Sequence, residues 1–549
     1  MHIQSSLVFS LSAATAFASR GSVAPTGSVP SGAVGYNSTQ PQNGQQKHIS
    51  ELEDQVSSLK ASLSSKLAAS SSSCEAGPSS LPSGAVSRES SPASTASATY
   101  TAAYETFSSA FDDAQKSSNS VLRTTSRSAS APFATESGNN GTSTAGPTGT
   151  AASSSLIGTS GTSSSSASAS STAVSTYLPV LGDYNDQEIS SGSAWKNVSD
   201  MADARLKART SSGDCTYENA RVRTEFRSMS NDQRKAFTDA IACLQDTEPR
   251  YTTAGSDAYP GVYTRYDEFV ATHINMTYHI HGTADFLAWH RNFIHEFEAA
   301  LGETCGYTGT LPYWDWAMDA GKVDQSEVFN GDEYSMGSNG MYIAGRDDTY
   351  LGLQDTTFPP GTGGGCVMSG PFSNATYETH LGPLDSPYGN NVANQFDYNP
   401  RCLVRDLSNF FSERYNTYTN VTELVLGQPE IGNFQSLMQG FLGDNKFGVH
   451  GGGHWIGGGP SQLEDFHSSP SDPVFFIHHS MIDRIYTVWQ NLAWDEREDA
   501  IDGTSTLLNS PPTADMQLSD VLSFGLVAED KTFGDLMDTM SGPYCYRYE

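Results

Sequence analysis

The chain has 549 residues, of which 61 are acidic and 30 basic, for a formal charge of −31. That balance disfavours nucleic acid and anionic membrane surfaces as partners and reads as colloidal solubility, without pointing to a cationic substrate. Beyond its start no stretch approaches about eighteen unbroken apolar residues, and no membrane span is expected.

The first apolar run, Leu7 to Ala18, closes on Ala16-Phe17-Ala18. It reads as a secretory signal peptide over residues 1–18, since a buried helix would have nothing nearby to pack on. Residues 19–176 are rich in Ser, Thr, Ala, Gly and Pro and nearly devoid of aromatics. Such a composition buries too little apolar surface to offset the entropy of ordering, and a disordered stalk is expected. SSSSASASSTAVSTY has the composition of an O-glycosylated stalk or of an unmodified linker. Ile49, Leu52, Val56, Leu59, Leu63 and Leu67 recur at heptad-like spacing within residues 48–67. They imply either self-association through a short coiled coil or a solitary weak helix.

From Tyr177 the aromatic and apolar density rises, and residues 177–549 are long enough for one large domain. Cys215, Cys243, Cys305, Cys366, Cys402 and Cys545 form an even set in this region. With a secretory start they read as disulfides. Cys215 and Cys545 bracket the domain, and joining them would staple its ends. Cys74 stands alone beside the heptad segment, where it could link two chains. Sequons at Asn37, Asn140, Asn197, Asn275, Asn374 and Asn420 fit the same extracellular compartment. The glycine- and aspartate-rich stretch from Asp332 to Asn399 reads as long loops.

Ten of the thirteen histidines lie between His273 and Glu298 or between His450 and Gln490. Neutral imidazole is the usual ligand of copper, nickel and zinc. The lack of an adjoining thiolate or carboxylate argues against iron–sulfur, calcium and di-iron sites. Two blocks suggest two ions. His450 and His454, four apart, share one face of a helix. His290, Phe293, Phe297 and Leu301 follow helical spacing with Glu298 on the same side. Asp472-Pro473 starts a helix on which His479 and Asp483 lie one turn apart, making Asp483 the carboxylate expected behind His479. HGGGH is a poor helix by propensity, each interior glycine costing roughly 1 kcal/mol relative to alanine. Copper and tight packing must compensate, or another backbone or the substrate must pass close by.

HGTADFLAWHRNFIHEFEAAL from His281 resembles the CuA block of tyrosinases and catechol oxidases, and DPVFFIHHSMIDRIYTVWQ from Asp472 resembles their CuB block. The likeness takes in VRTEFRSMSNDQRKAF from Val222, LPYWDWAMD from Leu311 and Tyr546-Arg547-Tyr548, and so spans roughly residues 215–549. It implies a mainly α fold in which an antiparallel four-helix bundle holds two coppers among long loops and few short strands. It also implies CuA ligands His273, His281 and His290, with His279 as the alternative to His273. The implied CuB ligands are His450, His454 and His479, the second of the His478-His479 pair. His295, His380 and His467 are read as structural.

In that scheme the coppers reduce O₂ to a bridging peroxide and oxidise small phenolic substrates, o-diphenols, to o-quinones. Phe475 stands where the family has a gate over CuB, though plain core packing explains a phenylalanine there nearly as well. The cysteine that many members link to a CuA histidine is replaced by Thr277 and His279, so no thioether is expected. Monophenol-hydroxylating members carry asparagine after the first CuB histidine to help orient a deprotonating water. Gly451 stands there instead, implying weak or no monophenol hydroxylation, with a full tyrosinase as the alternative. Two other classes compete. A hemocyanin-type O₂ carrier blocks its pocket with a covering domain, for which a chain ending at Glu549 leaves no room. A zinc hydrolase needs a carboxylate base at motif spacing, and none is found.

Overall fold

The computed structural model describes residues 177–351, 354, 356–388, 391–441 and 447–549. The expected signal peptide, stalk, heptad segment 48–67, Cys74 and the sequons at Asn37 and Asn140 lie outside the described residues.

Local caps start the helices that matter most. Ser230 accepts from the Gln233 N–H while the Gln233 side chain accepts from the Ser230 N–H, and Thr264 and Asp267 reciprocate in the same way. Each pair satisfies donors that a helix start otherwise leaves orphaned. The helices of the described residues run α1 Asp186–Ser190, α2 Ser193–Arg209, α3 Asn231–Asp246, α4 Arg265–Ile280, α5 Phe286–Cys305 and α6 Asn409–Tyr415. They continue with α7 Tyr418–Gly427, α8 Ile431–Gln439, α9 Gly448–Trp455, α10 Val474–Leu492 and α11 Trp494–Arg497. α5 ends at Gly306, whose left-handed backbone (φ 70°) lets its own N–H reach the Gly302 carbonyl and the Tyr307 N–H reach the Leu301 carbonyl.

Every residue of α10 is buried. A helix covered on all faces belongs at the centre of its domain, and α10 packs on α2, α5 and α9. α5 packs in turn on α3 and α4, and α9 on α6 and α8. The Phe297 and Phe476 rings stack 3.4 Å apart at 6°, joining α5 to α10. α4, α5, α9 and α10 thus make the four-helix centre of a mainly α fold, and they carry both histidine blocks.

Strands are few and short. β1 Arg221–Arg223 pairs in parallel with β8 Tyr546–Tyr548, bringing the end of the chain back to the start of the domain. β2 Gly340–Tyr342 with β5 Gly364–Val367, and β3 Thr349–Leu351 with β4 Thr356–Phe358, are antiparallel pairs inside the stretch expected as loops. β6 Val521–Leu522 pairs with β7 Lys531–Thr532. Cys215 is joined to Cys545 as expected, Cys243 to Cys305 and Cys366 to Cys402. No helix among the described residues is long and apolar enough to cross a membrane.

Candidate metal centre

α4 contributes His273, the extended residue that caps it contributes His281, and α5 contributes His290. These three form one buried group whose ligating atoms lie within 4.8 Å of one another. Each Nδ1 meets a backbone carbonyl: His273 that of His467 at 2.7 Å, His281 that of Thr277 at 2.9 Å, His290 that of Phe286 at 2.8 Å. A carbonyl only accepts, and each Nδ1 therefore carries the proton and leaves a lone pair on Nε2. The Nε2 atoms of His273 and His290 are buried and meet no hydrogen-bond partner. Buried lone pairs left over in this way are what a metal ion satisfies.

The second group lies on α9 and α10. His454 Nε2 is 3.1 Å from His450 Nε2 and 3.2 Å from His479 Nε2, while His454 Nδ1 meets the Leu463 carbonyl at 2.8 Å. Imidazole–metal bonds of about 2 Å put two nitrogens on one tetrahedral ion about 3.3 Å apart, and the observed spacings fit. His478 lies in the same buried group but is bonded differently, its Nδ1 facing the Trp316 indole N–H at 3.2 Å. Neither group contains a carboxylate.

Burial is the main cause that brings the His281 imidazole down to about 3 and that of His454 to about 4. Burial, with neighbouring imidazoles adding, holds His273, His290, His450 and His479 well below the usual histidine range. All six are neutral at physiological pH, the state in which imidazole binds a metal.

Phe475 is fully buried between the groups, its ring centroid 4.2 Å from that of His479 and 5.2 Å from that of His273. The glycines of HGGGH divide into two kinds. A Cβ on Gly452 would meet Tyr415 Cβ at 2.4 Å, and one on Gly453 would meet the His478 ring at 2.2 Å. The same atom on Gly451 would have its nearest neighbours at 3.7 Å. Close packing thus explains two of the three.

Asp483 does not back His479. Its Oδ1 accepts from Arg291 at 2.6 Å and its Oδ2 from the Tyr546 and Tyr548 hydroxyls at 2.6 and 2.7 Å, while His479 Nδ1 meets no partner. The reason is tertiary, because β8 and α5 bring an arginine and two phenols to a carboxylate that helical spacing alone assigned to the histidine. Glu298, on α5, pairs with Arg223. His279 is exposed and bonds the Ser505 carbonyl, apart from the group that holds His273. His380 bonds Asp267, His295 packs on Tyr544, and His467 lends its carbonyl to His273. Three residues without an expected role line the centre. Phe286 lies 5.0 Å from His290 and 4.8 Å from His450, Phe466 lies 4.8 Å from His281, and Trp316 holds His478. Trp316 stands in LPYWDWAMD and Phe286 in HGTADFLAWHRNFIHEFEAAL, both motifs of the resemblance, whereas Phe466 carries no signal beyond its place beside His467.

Residues 263–492 match the tyrosinase family, described as the common central domain of tyrosinase. N-acetyl-6-hydroxytryptophan oxidase ivoB of Emericella nidulans is 39% identical over 352 residues, covering 61% of this chain and 94% of that protein. Tyrosinase P of Aspergillus terreus is 39% identical over 334 residues, covering 60% of this chain and 91% of that protein. A polyphenol oxidase structure from Thermothelomyces thermophila superposes with a TM-score of 0.59 at 35% identity, covering 67% of this chain and 99% of that chain. The dicopper centre that this family implies fits two groups of neutral imidazoles with converging lone pairs. The chain belongs to the tyrosinase family of copper-dependent oxidases.

Proposed function

We propose that this protein is a secreted type-3 copper oxidase that uses O₂ to convert o-diphenols, and o-aminophenols, to the quinone level, with weak or no hydroxylation of monophenols. His273, His281 and His290 hold one copper and His450, His454 and His479 the other. The observation that carries this reading is the shared tautomer of His273, His281, His290 and His454, each donating its Nδ1–H to a backbone carbonyl and left with a lone pair on Nε2.

The coppers, when bound, supply the redox step with O₂. The chain's own residues fix the imidazoles and keep the centre dry through Phe286, Phe466 and Phe475, and Phe475 offers its ring to the incoming phenol. Gly451 supports the diphenol preference. It has no side chain to hold a deprotonating water, and catechols release protons more readily than monophenols do. A relative named for oxidising N-acetyl-6-hydroxytryptophan supports a hydroxylated aromatic substrate. Disulfides support an oxidising compartment, and the sequon residues Asn275 and Asn374 are exposed. In this reading residues 1–18 are a signal peptide, 19–176 a stalk, and 177–549 the catalytic domain.

The test is copper analysis of the purified protein together with oxygen uptake on 4-methylcatechol and on tyramine. Two coppers per chain and clearly faster catechol oxidation are expected. Tyramine hydroxylated as fast as the catechol is oxidised would make this a full tyrosinase, and a copper-free protein would end the reading.

A further inference from the structure

We infer that Trp316 is a positioning residue that keeps His478 from becoming a fourth imidazole on the copper held by His450, His454 and His479, and so preserves the open position there. The inference rests on the ligand set proposed above.

Distance alone does not separate His478 from its neighbours. Its ring lies 5.7 Å from that of His450 at 23°, it is fully buried, and it belongs to the same group of ligating atoms. What separates it is the position of its proton. The indole N–H of Trp316 can only donate, and it points at His478 Nδ1 at 3.2 Å. Nδ1 must therefore accept, which places the proton of the neutral ring on Nε2. His454, in the same group, has the opposite tautomer because the Leu463 carbonyl can only accept. An Nε2 that carries a proton has no lone pair for a metal. Moving that proton to Nδ1 would leave a buried indole N–H facing another N–H.

The lock comes from a segment separate from both histidine blocks. Trp316 is fully buried in a short 3₁₀ turn, Trp316–Asp319, and its backbone N–H bonds the Trp314 carbonyl at 2.9 Å. Asp319 anchors that turn by accepting from the Trp314 indole at 2.9 Å and from Arg227 at 2.8 Å. On the other side Gly453 lets α9 close onto the His478 ring, where a Cβ would clash. A copper that must admit O₂ and a phenol needs a free coordination position, and a spare imidazole beside it would fill that position.

The test is X-ray absorption on the copper(I) protein, read with copper content. Wild type should show three nitrogens on each copper. Trp316→Phe removes the donor, and one copper should then gain a nitrogen at unchanged copper content, with catechol turnover falling about tenfold or more. The double variant Trp316→Phe/His478→Leu should return the count to three and recover turnover. A single variant that keeps three nitrogens and wild-type turnover overturns the inference and leaves the ligand set intact. Copper missing from wild type, or a fourth nitrogen already there, overturns both. Should Trp316→Phe fail to fold, ¹⁵N spectroscopy of histidine-labelled wild type in the diamagnetic copper(I) state decides. The signal lost in His478→Leu must show the Nε2–H tautomer, and an Nδ1–H form overturns the lock.

Discussion

His290 and His479 lie face to face, their ring centroids 4.4 Å apart and their planes 11° from parallel, although each belongs to a different histidine block. Two imidazolium rings would repel at that distance. Burial, with each ring's neighbours adding to it, holds both neutral. The pair is where the two proposed copper sites meet.

Each ligand should accordingly be indispensable to its own ion. His290→Ala and His454→Ala are each expected to lose one copper and nearly all catechol oxidation, because a lone copper cannot share O₂ with a partner. Metal analysis and oxygen uptake check this. Full activity in either variant would overturn the ligand assignment.

The glycines of α9 should respond in opposite ways. Gly453→Ala drives a methyl into the His478 ring and is expected to cost about 1 to 3 kcal/mol in urea unfolding, the usual range for overpacking. Gly451→Ala meets ordinary contacts and should stabilise by about 0.4 to 1 kcal/mol through a stiffer unfolded chain. Gly451→Asn should fold and raise tyramine hydroxylation relative to 4-methylcatechol oxidation. An unmoved ratio would show that this position does not set the chemistry.

Asp483 should matter for stability. Burial is the largest single effect on its carboxyl and pushes it up, but the Arg291 and Arg223 guanidiniums beside it, with the Tyr546 and Tyr548 hydroxyls, together outweigh it and hold the carboxyl below the usual range. Asp483→Asn leaves the buried Arg291 guanidinium without its carboxylate, while Arg223 keeps Glu298, and a loss of about 3 to 5 kcal/mol is expected. Thermal unfolding with copper content measured separately checks it. A variant that is as stable as wild type but inactive would return Asp483 to a role at the metal.

Asp285 should impose a pH dependence of its own. It is buried at the start of α5, its Oδ1 has no partner, and burial pushes its carboxyl up to about 7. Between about 4 and 7 the folded protein keeps this proton while the unfolded chain has lost it. Stability therefore falls as pH rises through that window, by on the order of 4 kcal/mol in all. Asp285→Asn should remove that slope, gaining most relative to wild type above pH 7. Taking the difference between the two proteins cancels histidine titration and copper release. Parallel stability curves from acid to neutral pH would show that the carboxyl is not protonated in the folded state.

The sequence by itself determined what short-range periodicity and chemistry carry. The two histidine blocks, the one-face spacing of His450 and His454 and the glycine problem in HGGGH were legible because each rests on helical repeat or residue type. Only the tertiary structure decided which atoms answer those residues. Helical spacing put Asp483 behind His479, but β8 and α5 bring two phenols and an arginine to it across the fold. Spacing could not rank His478 against His479, whereas an indole from Trp316 fixes the proton on one of them. The carbonyls that orient His273 and His454 belong to His467 and Leu463, in a loop with no periodic signal. A repeat along the chain sets which face a side chain takes. The partner that waits on that face comes from segments far away in sequence, and its donor or acceptor character fixes the chemistry.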